Sequence, residues 1–420
     1  MSTVLVGVAG GIAAYKSCYL VRRLAAAGHD VRVVPTEAAL RFVGRPTWEA
    51  LSGHPVHTGV FDDVPGVEHV RLGEQADLVV VAPATADLLS RLARGAADDL
   101  LTATVLATRA PVLVAPAMHT AMWQNSATRD NVATLRRRGI VVKDPAVGRL
   151  TGPDSGPGRL PEPDELAELA AFLLEDPQAA HQLAAQDLSG RRVVISSGGT
   201  REALDPVRYL GNSSSGRMGH ALAQLAAARG AQVTLVSAHV EVPAPSCVDS
   251  VHISSTEDLA QAMSDLAPGC DIVVMAVAAA DFAPAASSPV KIKKHEGHDA
   301  VGAGTRIDLV QTPDVLASVS AHRSGGQVIV GFAAETASDR GELLQLATAK
   351  LARKGCDLLV VNDVSAGKVF GKVDTDVTVV RQQGPGRRVM GSKILAANAV
   401  LDEARSLLAP AIGTADSAES

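Results

Sequence analysis

Aromatic side chains are scarce in this 420-residue chain: six Phe, three Tyr and two Trp make up 3% of it. So few rings offer little to stack against nucleobases. Positive charge is not in excess either. The 39 Lys and Arg face 45 Asp and Glu, and a formal charge of −6 gives no electrostatic case for nucleic acid or an anionic membrane. The four cysteines, Cys18, Cys247, Cys270 and Cys356, are scattered without metal-ligand spacing, as in a reduced protein. No apolar run approaches the ~20 residues of a membrane span. Residues 1–16 lack the charged start and apolar middle of a secretion signal. These absences predict a cytoplasmic protein with no nucleic-acid or membrane partner. Apolar residues still make up 47%, and the length exceeds one core, so two domains are expected.

Residues 191–237 carry the pattern that organises the chain. An apolar run at 193–195 ends in Ser196-Ser197-Gly198-Gly199-Thr200. A second turn, from Gly211 to Gly219, leads into a helical pattern at 221–229, closed by Gly230 before another strand at 233–236. Strand, glycine turn, helix and strand form the nucleotide-binding half of a doubly wound fold. Backbone N–H groups and a helix N-terminus face an anion there. The two glycine turns are too far apart for G-x-G-x-x-G, so an ordinary NAD fingerprint describes them poorly. Residues 3–35 repeat the grammar at smaller scale: strand 3–9, Gly10-Gly11, helix 12–27, Gly28-His29 and strand 31–35. Gly10-Gly11 suits a phosphate or an empty tight turn equally, and Thr36 adds a hydroxyl nearby. The expected fold is α/β, with two doubly wound, Rossmann-like domains at residues 1–187 and 188–409 and a disordered tail at 410–420.

Apolar strands at 78–81 and 112–114 end in Ala82-Pro83-Ala84-Thr85 and Ala115-Pro116-Ala117-Met118-His119. Loops at the carboxyl ends of such strands line the ligand crevice of an open sheet. His69, alone, is more often a surface or satisfied residue than a catalyst. The Gly- and Pro-rich residues 148–160 read as a mobile flap. A helical pattern at 165–175 precedes a polar, alanine-rich linker at 176–187. In the second half, a strand at 273–280 brings Asp281 to its carboxyl end, to read a base, hold Mg²⁺ or open an Asx turn. Residues 290–294 read as a strand with Lys291 and Lys293 on one face and Lys294 on the other. That is either a charged sheet edge or a triphosphate clamp. Lys350 and Lys354, spaced i, i+4, share one helix face, and Asn362-Asp363 ends the strand after it.

These motifs, taken in order, meet a family. Residues 1–175 resemble flavin mononucleotide-dependent cysteine decarboxylases, through Gly10-Gly-Ile-Ala-Ala-Tyr-Lys16, His69, Ala82-Pro-Ala-Thr85, Pro116-Ala-Met118 and Met122-Trp123. Residues 188–408 resemble phosphopantothenate–cysteine ligases, through Asp205-Pro-Val-Arg208, Asn212 to Gly219, Ala278 to Asp281, Lys291-Ile-Lys-Lys294 and Gly331-Phe-Ala-Ala-Glu-Thr336. Together they look like the bifunctional coenzyme A biosynthesis flavoproteins. The resemblance implies FMN at Gly10, Gly11, Ile12, Thr36, Ala84, Thr85 and Met118, with His69 as an acid–base or orienting group. It implies CTP at Met275, Ala276, Val277, Asp281, Lys291, Thr312, Pro313, Asp314, Val315, Phe332, Lys350 and Lys354. Asn212 would orient an acyl-cytidylate made from 4′-phosphopantothenate for attack by cysteine, with Lys291 also in a catalytic role. Mg²⁺ is implied with the triphosphate, its ligands unassigned. Trimeric decarboxylase and dimeric ligase contacts would close a homo-oligomer, a dodecamer.

Two departures stand out. The family's Pro-x-Met-Asn loop has His119 where Asn is usual, at a position implied to meet the substrate. The family's flap cysteine, a proton donor, is replaced by Gly152, which leaves Asp154 or Ser155 as relays. Three other readings stay open: an oxidoreductase, a flavin-binding regulatory protein, or a chain in which only the ligase half works.

Overall fold

The computed structural model describes residues 1–62, 67–150, 154–293, 306–363 and 374–408. Gly152, Lys294 and the tail expected at 410–420 lie outside the described residues. Backbone contacts divide the chain into two units. The first is Met1–Ser189 with Ala227–Gly230 and Pro245–Cys247, and the second is the rest.

In the first unit the strands are β1 (Thr3–Val8), β2 (Asp30–Pro35), β3 (Leu78–Ala84), β4 (Val112–Pro116) and β5 (Val141–Val142), then β6 (Ala146–Arg149) and β7 (Ser155–Arg159). Its helices are α1 (Ala14–Ala26), α2 (Arg45–Ser52), α3 (Glu68–Gln75), α4 (Ala86–Arg94), α5 (Leu100–Ala107), α6 (Thr120–Gln124), α7 (Ser126–Arg137), α8 (Pro163–Glu175) and α9 (Ala179–Ala185). The first five strands form one parallel sheet in the order β2-β1-β3-β4-β5, and β6 and β7 form an antiparallel hairpin. All seven residues of β3 are buried, as a central parallel strand covered on both faces must be. Helix starts follow local chemistry. The Thr85 hydroxyl caps α4 by accepting the Leu88 N–H, and Asp99 with Thr102 forms a capping box on α5. The segment expected as linker carries α9. Its alanines favour helix, and Ala179, Ala180, Leu183 and Ala184 are buried.

The second unit contributes β8 (Arg192–Gly198), β9 (Arg201–Ala203), β10 (Tyr209–Gly211), β11 (Gln232–Ala238), β12 (Asp249–Ile253), β13 (Ile272–Met275), β14 (Phe282–Pro284), β15 (Leu309–Gln311), β16 (Val328–Glu335), β17 (Leu358–Asp363), β18 (Asp374–Arg381) and β19 (Arg387–Ser392). The helices are α10 (Arg217–Ala228), α11 (Thr256–Leu266), α12 (Val315–Ala321), α13 (Arg340–Lys354) and α14 (Lys393–Leu407). Eight strands form one sheet, β12-β11-β8-β13-β16-β17-β18-β19, parallel as far as β17 and antiparallel at the last two pairings.

Two expectations need correction. The strand predicted at 273–280 stops at Met275. Beyond it the next three amides turn to β8: Ala276 N–H to the Ser196 carbonyl, Val277 N–H to the Ser196 hydroxyl and Ala278 N–H to the Gly198 carbonyl. The strand predicted at 290–294 is irregular over its described residues 290–293. Its backbone is held by side chains instead. Asp205 accepts the Ile292 N–H at 3.2 Å and Arg208 donates to the Ile292 carbonyl at 2.5 Å. Without a ladder, alternation of Lys291 and Lys293 has no basis.

Gly198 has φ +89°, and a Cβ there would overlap the Ala238 carbonyl oxygen. Gly198→Ala is expected to cost roughly 2–5 kcal/mol from strain and overpacking together. Calorimetry of the full chain should show the second unit's transition falling by several degrees. An unshifted transition would mean the turn adapts.

Candidate functional sites at the two sheet crossings

In an open parallel sheet the ligand crevice opens where strand order reverses, outside the carboxyl ends. In the first unit that point lies between β1 and β3. Gly10 and Gly11 follow β1, Thr36 follows β2, Ala84 and Thr85 end β3, and Met118 follows β4. Backbone bonds hold these ends together: Ala9 N–H to Pro83 carbonyl and Ala117 N–H to Ala84 carbonyl, both 3.0 Å. The two glycines serve differently. A Cβ on Gly10 would overlap Ala38, whereas one on Gly11 would meet only the Thr85 methyl at 3.7 Å. Gly10 is therefore a packing requirement, and Gly11 leaves an open backbone face. Ile12 is exposed, Ala84 is fully buried, and the buried Thr36 hydroxyl accepts the Ala39 N–H at 3.2 Å.

The flap hairpin sits on the next loop. Met118 N–H donates to the Gly158 carbonyl at 2.9 Å. A Cβ on Gly158 would overlap the Met118 carbonyl, and one on Gly156 would come within 2.7 Å of the Thr120 hydroxyl. His119 Nδ1 accepts the Ala121 N–H at 3.2 Å, so the neutral ring carries its proton on Nε2. That Nε2 faces Asp154 of the flap at 3.2 Å. His69 lies in the first turn of α3, half-buried, and its Nδ1 is buried without a hydrogen-bond partner. Among the described residues no hydrogen bond ties it to the glycine turn. The residue before it, Glu68, is buried and accepts from His57 Nδ1 at 2.7 Å. Sequence reasoning missed both His57 and Glu68, whose separation of eleven positions gave no periodic signal.

In the second unit the parallel order reverses between β8 and β13. Gly199 bridges to Ala278, and Asn212 Nδ2 donates to the Ala279 carbonyl at 2.8 Å. The Thr200 hydroxyl accepts the Ala280 N–H at 2.9 Å and meets the Thr256 hydroxyl at 3.0 Å, which donates in turn to the buried Glu202. Thr312 reaches the same loop, its hydroxyl donating to the Ala280 carbonyl at 2.5 Å and its N–H to the Asp281 carbonyl at 3.1 Å. Asn212, the 276–281 loop and Thr312 thus form one connected group. Asp281 is exposed, while Met275 and Val315 are core side chains that can offer a ligand only backbone. Ala276, Val277 and Phe332 are half-buried, and Pro313 is exposed.

The lysines differ from expectation in one respect. Lys350 and Lys354 do share a helix face, but Lys350 is paired with Glu335 at 2.7 Å and Lys354 with Asp314. Asp314 also caps α12 by accepting the Ala317 N–H. Lys291 is exposed beside the clamped Ile292. No group of three or more His, Cys, Asp or Glu among the described residues is arranged to hold a metal.

Comparison with known proteins adds to this geometry. Residues 1–174 match the family model described as Flavoprotein, and residues 188–407 match the DNA/pantothenate metabolism flavoprotein C-terminal domain. The chain is 55% identical over 413 residues to the coenzyme A biosynthesis bifunctional protein CoaBC of Mycobacterium tuberculosis strain H37Rv, covering 97% of each. It is 41% identical over 410 residues to the protein of that name in Vibrio vulnificus strain CMCP6, covering 96% of this chain and 98% of that one. A solved C-terminal domain of a coenzyme A biosynthesis bifunctional protein CoaBC aligns with 53% of this chain and 97% of its own, at 30% identity and a TM-score of 0.43.

Asp205 anchors the Lys291 segment through charge. Burial works against its ionisation, but N–H groups of Val207, Arg208 and Ile292 and the Arg208 guanidinium hold its carboxyl well below the usual range. Stability from a depressed carboxyl is fully present above its unfolded value near pH 4 and is lost as pH falls. Asp205→Asn is expected to lower the second unit's melting temperature at pH 7, and the gap from wild type should close on acidification below about pH 4. A gap independent of pH would show that the carboxylate's charge is not what holds this segment.

Proposed function

The chain belongs to the family of coenzyme A biosynthesis bifunctional proteins, and on that premise we propose that it converts 4′-phosphopantothenate, cysteine and CTP to 4′-phosphopantetheine. It is an enzyme with a flavoprotein decarboxylase half and a ligase half. The ligase half activates the substrate carboxylate by attack on the α-phosphate of CTP, forming an acyl-cytidylate and releasing pyrophosphate, because carboxylate oxygen is a poor leaving group and CMP a good one. Cysteine's amine then attacks, CMP departs and the amide forms. The decarboxylase half removes carbon dioxide from the cysteinyl end. The observation that carries this reading is that both sheet crossings gather family motifs at strand carboxyl ends. Gly11 and Thr85 stand at the first, and Asn212, Asp281 and Thr312 at the second.

The residues at the first crossing fit FMN. Gly11 gives open backbone to a phosphate, Thr85 adds a hydroxyl at the start of α4, and neither brings a carboxylate. FMN held there would supply both the oxidation that turns the substrate's thiol end into an electron sink and the return of those electrons to the product, with no net redox change. His69, with an unpartnered buried nitrogen, moves a proton or orients the substrate. His119 meets the substrate carboxylate, and its contact with Asp154 lets the flap pass a proton in place of the family's cysteine. At the second crossing, one Asn212 N–H is fixed on Ala279, and its other N–H faces charge developing at the acyl oxygen. Lys291 holds phosphate directly, whereas Lys350 and Lys354 exchange Glu335 and Asp314 for it, with Mg²⁺ accompanying the triphosphate. The working assembly is a cytoplasmic dodecamer built from decarboxylase trimers and ligase dimers.

The test is to supply purified protein with 4′-phosphopantothenate, cysteine, Mg²⁺ and either CTP or ATP, and to follow products by mass spectrometry. Phosphopantetheine is expected with CTP. Accumulation of phosphopantothenoylcysteine would leave only the ligase half standing, and no product with either nucleotide would favour a binding protein. Lys291→Gln should lower kcat/KM for CTP about 10- to 100-fold, the worth of one charge-assisted hydrogen bond. Asp154→Asn should slow the decarboxylation arm alone, and an unchanged rate would remove the aspartate from the proton path.

Gly11→Ala gives a sharper test of the flavin site. The protein free of flavin should melt within about a degree of wild type, since the added methyl has room. Bound flavin, read by its visible absorbance, should fall at least tenfold. Full flavin content in a folded variant would move the phosphate elsewhere.

A further inference from the structure

Away from the residues assigned to flavin and CTP, α7 and α9 of the first unit border a cavity of about 300 Å³. Its two walls differ in charge. Helix α7 contributes Arg129, Arg136 and Arg137, spaced i, i+7 and i+8, so one helix face carries all three arginines. The facing wall is Ala184, Ala185 and Gln186, which are short or uncharged and bring no carboxylate. Two of the arginines are fixed. Arg129 lies over the Trp123 ring, 4.9 Å from its centroid. Arg136 is 13% exposed and donates through Nη2 to the Val142 carbonyl and to Asp144, both at 2.9 Å. Its Nε is buried without an acceptor. Arg137 donates to the Thr134 hydroxyl and is otherwise exposed.

We propose that this cavity binds a small phosphate-bearing ligand, a phosphate monoester or diphosphate group set against the α7 guanidinium groups. Asp144 offsets one of three positive charges, so the wall attracts an anion. Guanidinium forks match phosphate oxygens in pairs, and two of the three are held in place before any ligand arrives. The small alanines opposite leave the space, and the volume sits at the lower end for ligand pockets, which suits a compact polar molecule. Helix α9 falls between residue 174, where the first family region ends, and residue 188, where the second begins. A ligand here therefore bears on the stretch that joins the two regions.

The test is hydrogen exchange, read by mass spectrometry on the full flavin-loaded chain, with inorganic pyrophosphate against sodium chloride at matched ionic strength. Slower exchange at residues 126–137 and 179–186 is expected with pyrophosphate only. Ala185 is exposed, so Ala185→Glu places a carboxylate among the arginines without disturbing the core. Arg137→Gln removes one fork. Each should weaken the pyrophosphate response at α7 and α9 about tenfold, while any response in the second unit stays unchanged. Equal protection by chloride would mean an adventitious ion only and would overturn the site. So would an unaltered response in both variants. Protection that grows with protein concentration, without pyrophosphate, would assign the face to a second copy of the chain.

Discussion

Both halves depend on backbone passing closer to backbone than a side chain permits. At the second crossing Gly198 turns against the Ala238 carbonyl, and a Cβ on Gly199 would lie 2.6 Å from the Asn212 carbonyl. That contact brings the 211–216 turn against the end of β8, and from it follow the Asn212 bond to Ala279 and the bridge of Gly199 to Ala278. At the first crossing Gly10 and Gly158 play the same part, letting Ala38 and the Met118 carbonyl approach. A glycine in these places loses more freedom on folding than any other residue. The sites are where that entropy is spent.

Charge around the second crossing is distributed by the same economy of contact. Asp205 organises the Lys291 segment without touching Lys291, by binding the amide next to it and the Arg208 guanidinium. Lys350 and Lys354 are instead neutralised by Glu335 and Asp314. Burial works against Asp314's charge, yet the bond to Lys354 holds its carboxyl below the usual range. Three lysines of one motif set therefore stand in two electrostatic states, one open to solvent and two already paired.

Periodic segments were legible in the sequence, because burial on one or both faces writes itself into the pattern. The helix read at 12–27 is Ala14–Ala26, that at 165–175 is Pro163–Glu175, and the strand read at 78–81 runs on to Ala84. The illegible parts are those where one partner replaces a ladder. Residues 276–280 are as apolar as a strand, but the amides of 276–278 face β8 and that of Ala280 faces Thr200. Residues 290–293 alternate as a strand would, yet are held by Asp205 and Arg208 from 87 and 84 positions away. Side-chain pairs such as Lys354 with Asp314, 40 positions apart, leave no local trace. For candidates such as Gly11, Thr85 and Asp281, residue type and a place near a strand's carboxyl end were legible. Their commitments to one another were not.

The contact between His119 and Asp154 shows what such a commitment adds. His119 stands where the family's pattern has asparagine, and Asp154 comes two residues after Gly152, which stands where the family's flap has its cysteine. In the fold the ring's Nδ1 caps α6 by accepting the Ala121 N–H, which places the ring proton on Nε2, toward the flap. An amide could make that cap, but its acceptor and donor lie on one short group, while imidazole sets them on opposite edges of a ring. His119 and Asp154 meet beside a hairpin whose Gly156 and Gly158 let its backbone approach the Thr120 hydroxyl and the Met118 carbonyl.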